Sequence, residues 1–129
     1  MHTVLVMGRR SKWSIWLFLE QLERAKGAEH YQITYESEWP KGKIPDYILI
    51  DLNGEEFAQA RLMLQLLRET RPDTAIICFR ESDDLEDTAL QLGMVCTYSA
   101  VLRLVVGWPG YAIRHLEAAR KAVCERNKT

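Results

Sequence analysis

The chain has few of the features that announce a special environment. It holds three cysteines, Cys78, Cys96 and Cys124. They are odd in number and lie far apart, without the close pairs of a zinc site or a redox motif, so they read as inert thiols in a reducing compartment and no metal role is expected of them. Four prolines and seven glycines leave no low-complexity tract or linker. No apolar run reaches the length needed to span a bilayer, and the start Met1-His2-Thr3-Val4-Leu5-Val6-Met7 has no basic leader or small-residue cleavage site. A cytoplasmic location follows as an expectation. The formal charge is −1, with 17 Lys and Arg against 18 Asp and Glu, so no net field draws the molecule to nucleic acid or an anionic membrane. Neither is expected as a partner.

What is present is ordinary globular material, 47% hydrophobic and 27% charged, in a length of 129 residues that suits a single domain, 1–129. Thr3–Met7, Tyr31–Tyr35, Tyr47–Leu52, Ala75–Phe79 and Val95–Tyr98 have the aliphatic, aromatic and β-branched character of strands, and Tyr47-Ile48-Leu49-Ile50-Asp51-Leu52 is the clearest buried one. Between them run amphipathic segments. The first, capped by Ser11, carries Trp13, Ile15, Trp16, Leu17, Phe18, Leu19 and Leu22, a set expected mostly in the core. Another spans Glu55–Thr70 with Phe57, Ala60, Leu64 and Leu67 on one face; a short helix spans Asp84–Leu92 with Gly93 as its left-handed cap; the last spans Tyr111–Arg126. The stretch from Glu36 to Pro45 holds two prolines and a glycine and predicts a loop. Alternation of this kind predicts a doubly wound α/β domain, a parallel five-stranded sheet of order 2-1-3-4-5 with helices on both faces.

In such a sheet the functional side chains gather in the loops leaving the carboxyl ends of the strands. Those loops supply Arg9, Arg10, Ser11 and Lys12; Asp51 and Asn53; Arg80, Glu81 and Ser82; and Ser99. An aspartate ending a buried strand, then an amphipathic helix, a strand and a short helix opened by Asp83-Asp84, resembles the receiver domain of two-component response regulators, best from Pro45 to Gly93. The resemblance implies a flavodoxin-like fold and puts Asp51 where the family accepts a phosphoryl group. It also implies an acid pair after the first strand to hold Mg²⁺, a Thr or Ser ending the fourth strand and a Lys ending the fifth. This chain has Gly8, Arg9 and Arg10, then Arg80, then Ser99 or Ala100 at those places, and a loop for the second helix.

One carboxylate among arginines cannot assemble an oxygen cage for a hard cation. The expectation is therefore a degenerate, stand-alone pseudo-receiver without catalytic residues, cofactor or enzymatic activity. Its pocket comprises Arg9, Arg10, Asn53, Arg80, Ser82 and Ser99 around Asp51, with Asp51 ion-paired to Arg80 or Arg9. Asp51 would otherwise be a plain loop anchor. With no output domain expected after it, signalling would run through protein contacts. In receivers the fourth helix, fifth strand and fifth helix form the usual dimer and output surface, and the apolar excess at Leu102, Leu104, Val105 and Val106, with Leu62, Met63 and Leu66 elsewhere, fits such use. Two alternatives stand beside it: a phosphorylatable receiver using Asp51, and a small-anion or nucleotide binder using Arg9, Arg10 and Arg80. His2, His30 and His115 have no evident catalytic partner in the sequence.

Overall fold

A computed structural model describes residues 1–8, 13–98, 108 and 110–128. Five parallel strands, β1 (His2–Met7), β2 (Tyr31–Tyr35), β3 (Tyr47–Asp51), β4 (Ala75–Arg80) and β5 (Val95–Tyr98), form one sheet in the order β2-β1-β3-β4-β5, as the alternation of elements predicts. The helices are α1 (Trp13–Arg24), α2 (Phe57–Thr70), α3 (Glu86–Gln91) and α4 (Gly110–Arg126). The register sets Val6 beside Leu49, Leu49 beside Ile77, and Ile77 beside Val95.

Because side chains alternate across a strand, β3 divides its residues between two cores. Tyr47 and Leu49 join Val4, Val6, Phe18, Ile77, Phe79 and Leu116 beneath α1 and α4, while Ile48 and Ile50 join Leu5, Leu64, Ile76, Leu85 and Ala89 beneath α2 and α3. Every residue of β3 and β4 is buried, which is why those strands read as unbroken apolar runs. Phe18 and Phe79 meet edge to face at 5.2 Å and join α1 to the sheet. Gly93 takes φ +69°, and the amides of Gly93 and Met94 close α3 onto Leu90 and Ala89, so the expected left-handed cap is present.

No α-helix joins β2 to β3. A single 3₁₀ turn, Glu36–Glu38, leads into a loop whose Trp39 packs on the second core and donates its indole N–H to the Lys43 carbonyl at 2.8 Å. The loop returns through buried Pro45, and Asp46 accepts the Thr3 amide at 2.8 Å. Trp39 thus covers sheet surface that a second helix would otherwise cover.

Three expectations are corrected or sharpened here. Trp16 is 60% exposed and outside the core that Ile15, Phe18 and Leu22 enter, because it lies on the outer flank of α1. The helix expected from Glu55 begins at Phe57, so Glu55 and Glu56 precede its first turn. Leu62 and Leu66 are exposed one turn apart, while Met63 is half-buried, so the apolar band of α2 does exceed what the sheet covers. The proposed cap Ser11 and the run Leu102, Leu104, Val105 and Val106 lie outside the described residues.

Candidate functional site

A parallel sheet brings the carboxyl ends of its strands to one edge, here Gly8 after β1, Asp51 ending β3, Arg80 ending β4 and Tyr98 ending β5. Asp51 is buried. Its Oδ1 accepts the backbone amide of Asn53 at 2.9 Å and the Asn53 side-chain amide at 2.8 Å, an Asx turn that folds the β3–α2 loop over the strand end. The Leu52 amide meanwhile extends the ladder to the Phe79 carbonyl at 2.9 Å. The Oδ1 of Asn53 is buried and has no hydrogen-bond partner among the described residues.

The most buried charge among the described residues at this edge is Arg80, only 4% exposed. Its Nε and Nη2 donate side-on to the two carboxylate oxygens of Asp84, both at 3.0 Å. Its Nη1 donates to the Leu52 carbonyl and, at 2.7 Å, to that of Glu55. One guanidinium therefore ties the β3–α2 loop to the β4–α3 loop. Glu81 adds a second tie, accepting the Gly54 amide at 3.2 Å. The expected Asp51–Arg80 pair is corrected: the carboxylate that Arg80 grips is Asp84, four residues along in the β4–α3 loop, while Asp51 Oδ1 is turned back onto Asn53. Hydrogen bonding from Asp84 raises the Arg80 pKa, and hydrogen bonding from Arg80 lowers that of Asp84, with Ser82 contributing in the same sense. Exposed Ser82 thus joins the site through Asp84.

The sign of the pH effect follows. Asp84 has a folded-state pKa below the ordinary value of an aspartate, so its contribution to stability is complete above that ordinary value and is lost as pH falls through the lower folded one. Denaturant titrations stepped down through that range should show Asp84→Asn flattening part of the acid loss. An acid limb identical to that of the parent chain would count against the pairing.

Gly8 closes the site on the β1 side. It has φ +102°, and a Cβ there would stand 2.8 Å from the Asp51 carbonyl oxygen and 3.2 Å from the Asp51 Cβ. Gly8 is the first of the three residues, with Arg9 and Arg10, that stand where the receiver resemblance implies an acid pair, and at its position an added side chain would collide with the Asp51 backbone. Among the described residues no three His, Cys, Asp or Glu side chains converge as a metal site would require. Arg9, Arg10 and Ser99, expected in this pocket, lie outside the described residues, and with them the alternative Asp51–Arg9 pair.

Several relationships were not legible beforehand. Asp84 was visible as a helix opener, and its spacing of four from Arg80 was the available signal for the pair. Cys78 and Cys96, distant in sequence, stand opposite each other across β4 and β5, where the Cys96 sulfur, and then burial, push the Cys78 thiol well above its ordinary range. Cys78 is thereby held protonated. His115 acquires a partner, with its Nε2 3.3 Å from the Tyr111 hydroxyl, which lies 3.2 Å from that of buried Thr97. Burial lowers the His115 pKa.

Comparison with known proteins gives a fold and no family. No family model matches the chain, and no curated protein matches it. Among solved structures it is similar to a response regulator from Thermotoga maritima, at 17% identity and a TM-score of 0.57, over 95% of this chain and 98% of that one. The chain has a receiver-like, flavodoxin-like fold. Identity at that level speaks to the fold alone.

Proposed function

We propose that this chain is a receiver-like signalling module of pseudo-receiver type, working through protein contacts without phosphotransfer and without enzymatic activity of its own. The observation that carries this reading is the engagement of Arg80. A phosphoryl switch needs loops that rearrange around a transferred group and a cation that neutralises it. Here a buried guanidinium, hydrogen-bonded to Asp84, Leu52 and Glu55, fixes both loops beside Asp51. The Gly8 contact leaves no space for an acidic side chain at position 8. The same engagement speaks against the anion-binding alternative, since four of the five N–H donors of Arg80 already have acceptors in the protein.

For partners, the proposed surface is that of α3, β5 and α4, used for a protein partner or a homodimer. Leu90, on α3, is 76% exposed and supplies an apolar contact point there.

The test is incubation of the full chain with a small acyl phosphate and Mg²⁺, followed by intact mass. No aspartyl-phosphate adduct is expected, under conditions in which a functional receiver used as a control is labelled. An adduct abolished by Asp51→Asn would replace this reading with that of a phosphorylatable receiver.

A further inference from the structure

The site around Asp51 and Arg80 leaves two neighbouring thiols unused. The pairing of β4 with β5 sets Cys78 opposite Cys96, while Ile77 stands opposite Val95 and Phe79 opposite Thr97. Side chains alternate across a strand, so directly opposed residues project to the same face of the sheet. Both cysteines accordingly pack in the core beneath α2 and α3, Cys78 fully buried and Cys96 half-buried. Neighbouring strands stand about 4.7–4.9 Å apart, and a disulfide joins residues whose Cα atoms are about 4.4–6.8 Å apart. Register alone therefore brings these two thiols within bonding reach, although nearly twenty residues of chain separate them.

The two side chains already interact. A hydrogen bond between them, and then burial, keeps the proton on Cys78. Their unequal exposure gives them unequal roles. A small oxidant arriving from solvent meets half-buried Cys96, whereas Cys78, with no exposed surface, is reached only through its partner. The third cysteine, Cys124, is exposed on α4, which packs on the opposite face of the sheet, so it stands outside this pair. The chain between the two thiols holds Arg80, Asp84 and α3, so a bond between them would staple β4 to β5 around the Arg80 network.

We propose that Cys78 and Cys96 are a redox modification site, forming a reversible disulfide across β4 and β5 when the chain meets a peroxide. In the first step the Cys96 thiol sheds its proton and its sulfur attacks one oxygen of hydrogen peroxide. The O–O bond breaks, the sulfur is oxidised to a sulfenic acid, and the other oxygen leaves as hydroxide, which takes up the shed proton and becomes water. In the second step the Cys78 sulfur attacks the Cys96 sulfur. The S–O bond breaks, and the departing hydroxide takes the Cys78 proton and leaves as a second water. Two thiols and one peroxide thus become one disulfide and two waters. A bridge whose geometry is dictated by strand register is not free to relax its torsion, and bonds of that kind are readily reduced. The site does not depend on Asp51 or on the absence of phosphotransfer.

The test titrates hydrogen peroxide into the full chain carrying Cys124→Ser, quenches by alkylation in denaturant, and reads intact mass and peptide maps without reductant. The expected product has lost two hydrogens, takes up no alkylating agent at Cys78 or Cys96, and yields one linked pair of peptides holding those residues. Dithiothreitol should restore both thiols. With Cys78→Ser added, oxidation should stop at a Cys96 sulfenic acid that a 1,3-diketone probe captures, and Cys78→Ala serves if Ser is not tolerated at that buried position. With Cys96→Ser added, Cys78 should stay unoxidised at the same dose, and its oxidation there would overturn the roles given to the two thiols. Oxygen adducts on Cys96 without linked peptides would overturn the bridge, as would a bridge that dithiothreitol leaves intact in the folded chain. Failure of both thiols to react at a dose that oxidises Cys124 in the parent chain would overturn the site. Circular dichroism recorded through the titration should keep its native signal, and a bridge that forms only as that signal is lost would overturn the proposal as a property of the fold. An aspartyl-phosphate adduct in the phosphodonor experiment would leave these outcomes untouched.

Discussion

Arg80→Ala should lower the unfolding free energy by about 2–4 kcal/mol, one of the two largest single-residue effects expected at the carboxyl edge. The substitution leaves the Leu52 and Glu55 carbonyls without their donor and Asp84 without its cation. Asp84 lies at the surface and can be rehydrated, so most of the cost falls on the desolvated carbonyls and on the empty volume left by the guanidinium. At roughly 3–5 °C per kcal/mol for a chain of this size, the midpoint should fall by some 6–20 °C. Arg80→Lys should recover only part of the loss, since an ammonium cannot make a side-on fork to Asp84 while also reaching two carbonyls. A calorimetric melt of the three proteins measures this. A drop of under about 0.5 kcal/mol for Arg80→Ala would mean that the network does not hold the loops, and the fixed-loop reading would lose its support.

The second large effect is expected at Gly8. A left-handed backbone costs an L side chain about 1–2 kcal/mol, and here the added Cβ would also meet the Asp51 carbonyl oxygen at 2.8 Å. Backbone cannot give way as a flexible side chain can, so Gly8→Ala should cost about 2–4 kcal/mol in total. Gly54→Ala is the matched control. It has φ +84° with no heavy atom within 4 Å of its added Cβ, so it should show the conformational cost alone, about 1–2 kcal/mol. Chemical denaturation of the two variants separates conformational strain from collision. Equal losses would remove the close approach of β1 to Asp51 from the account. The difference bears on function as well, because Gly8→Asp, which installs an acid where a receiver would have one, should be worse than Ala and should create no cation site.

These two positions show why part of the site was legible and part was not. That Arg80 and Asp51 share one edge follows from strand ends and topology, both of which leave local signals: β3 and β4 are apolar runs ended by a charged residue. Which carboxylate Arg80 would take does not follow from the sequence. Asp51 and Asp84 both stand close to Arg80 in the chain or the sheet, and the structure shows the guanidinium on Asp84 while Asp51 Oδ1 holds Asn53. The role of Gly8 was equally hidden, because a glycine ending a strand reads as a turn, and only the approach of two strands shows what it must avoid.

By itself the sequence determined the alternation of strands and helices, the parallel order, the loop in place of a second helix and the burial of β3 and β4, because hydrophobic period and turn chemistry are local properties. Tertiary structure decided which groups meet: Arg80 with Asp84, Cys78 with Cys96, and Trp39 over the second core. Such pairings depend on distances of a few ångströms between segments far apart in the chain. No periodicity within a single segment encodes them.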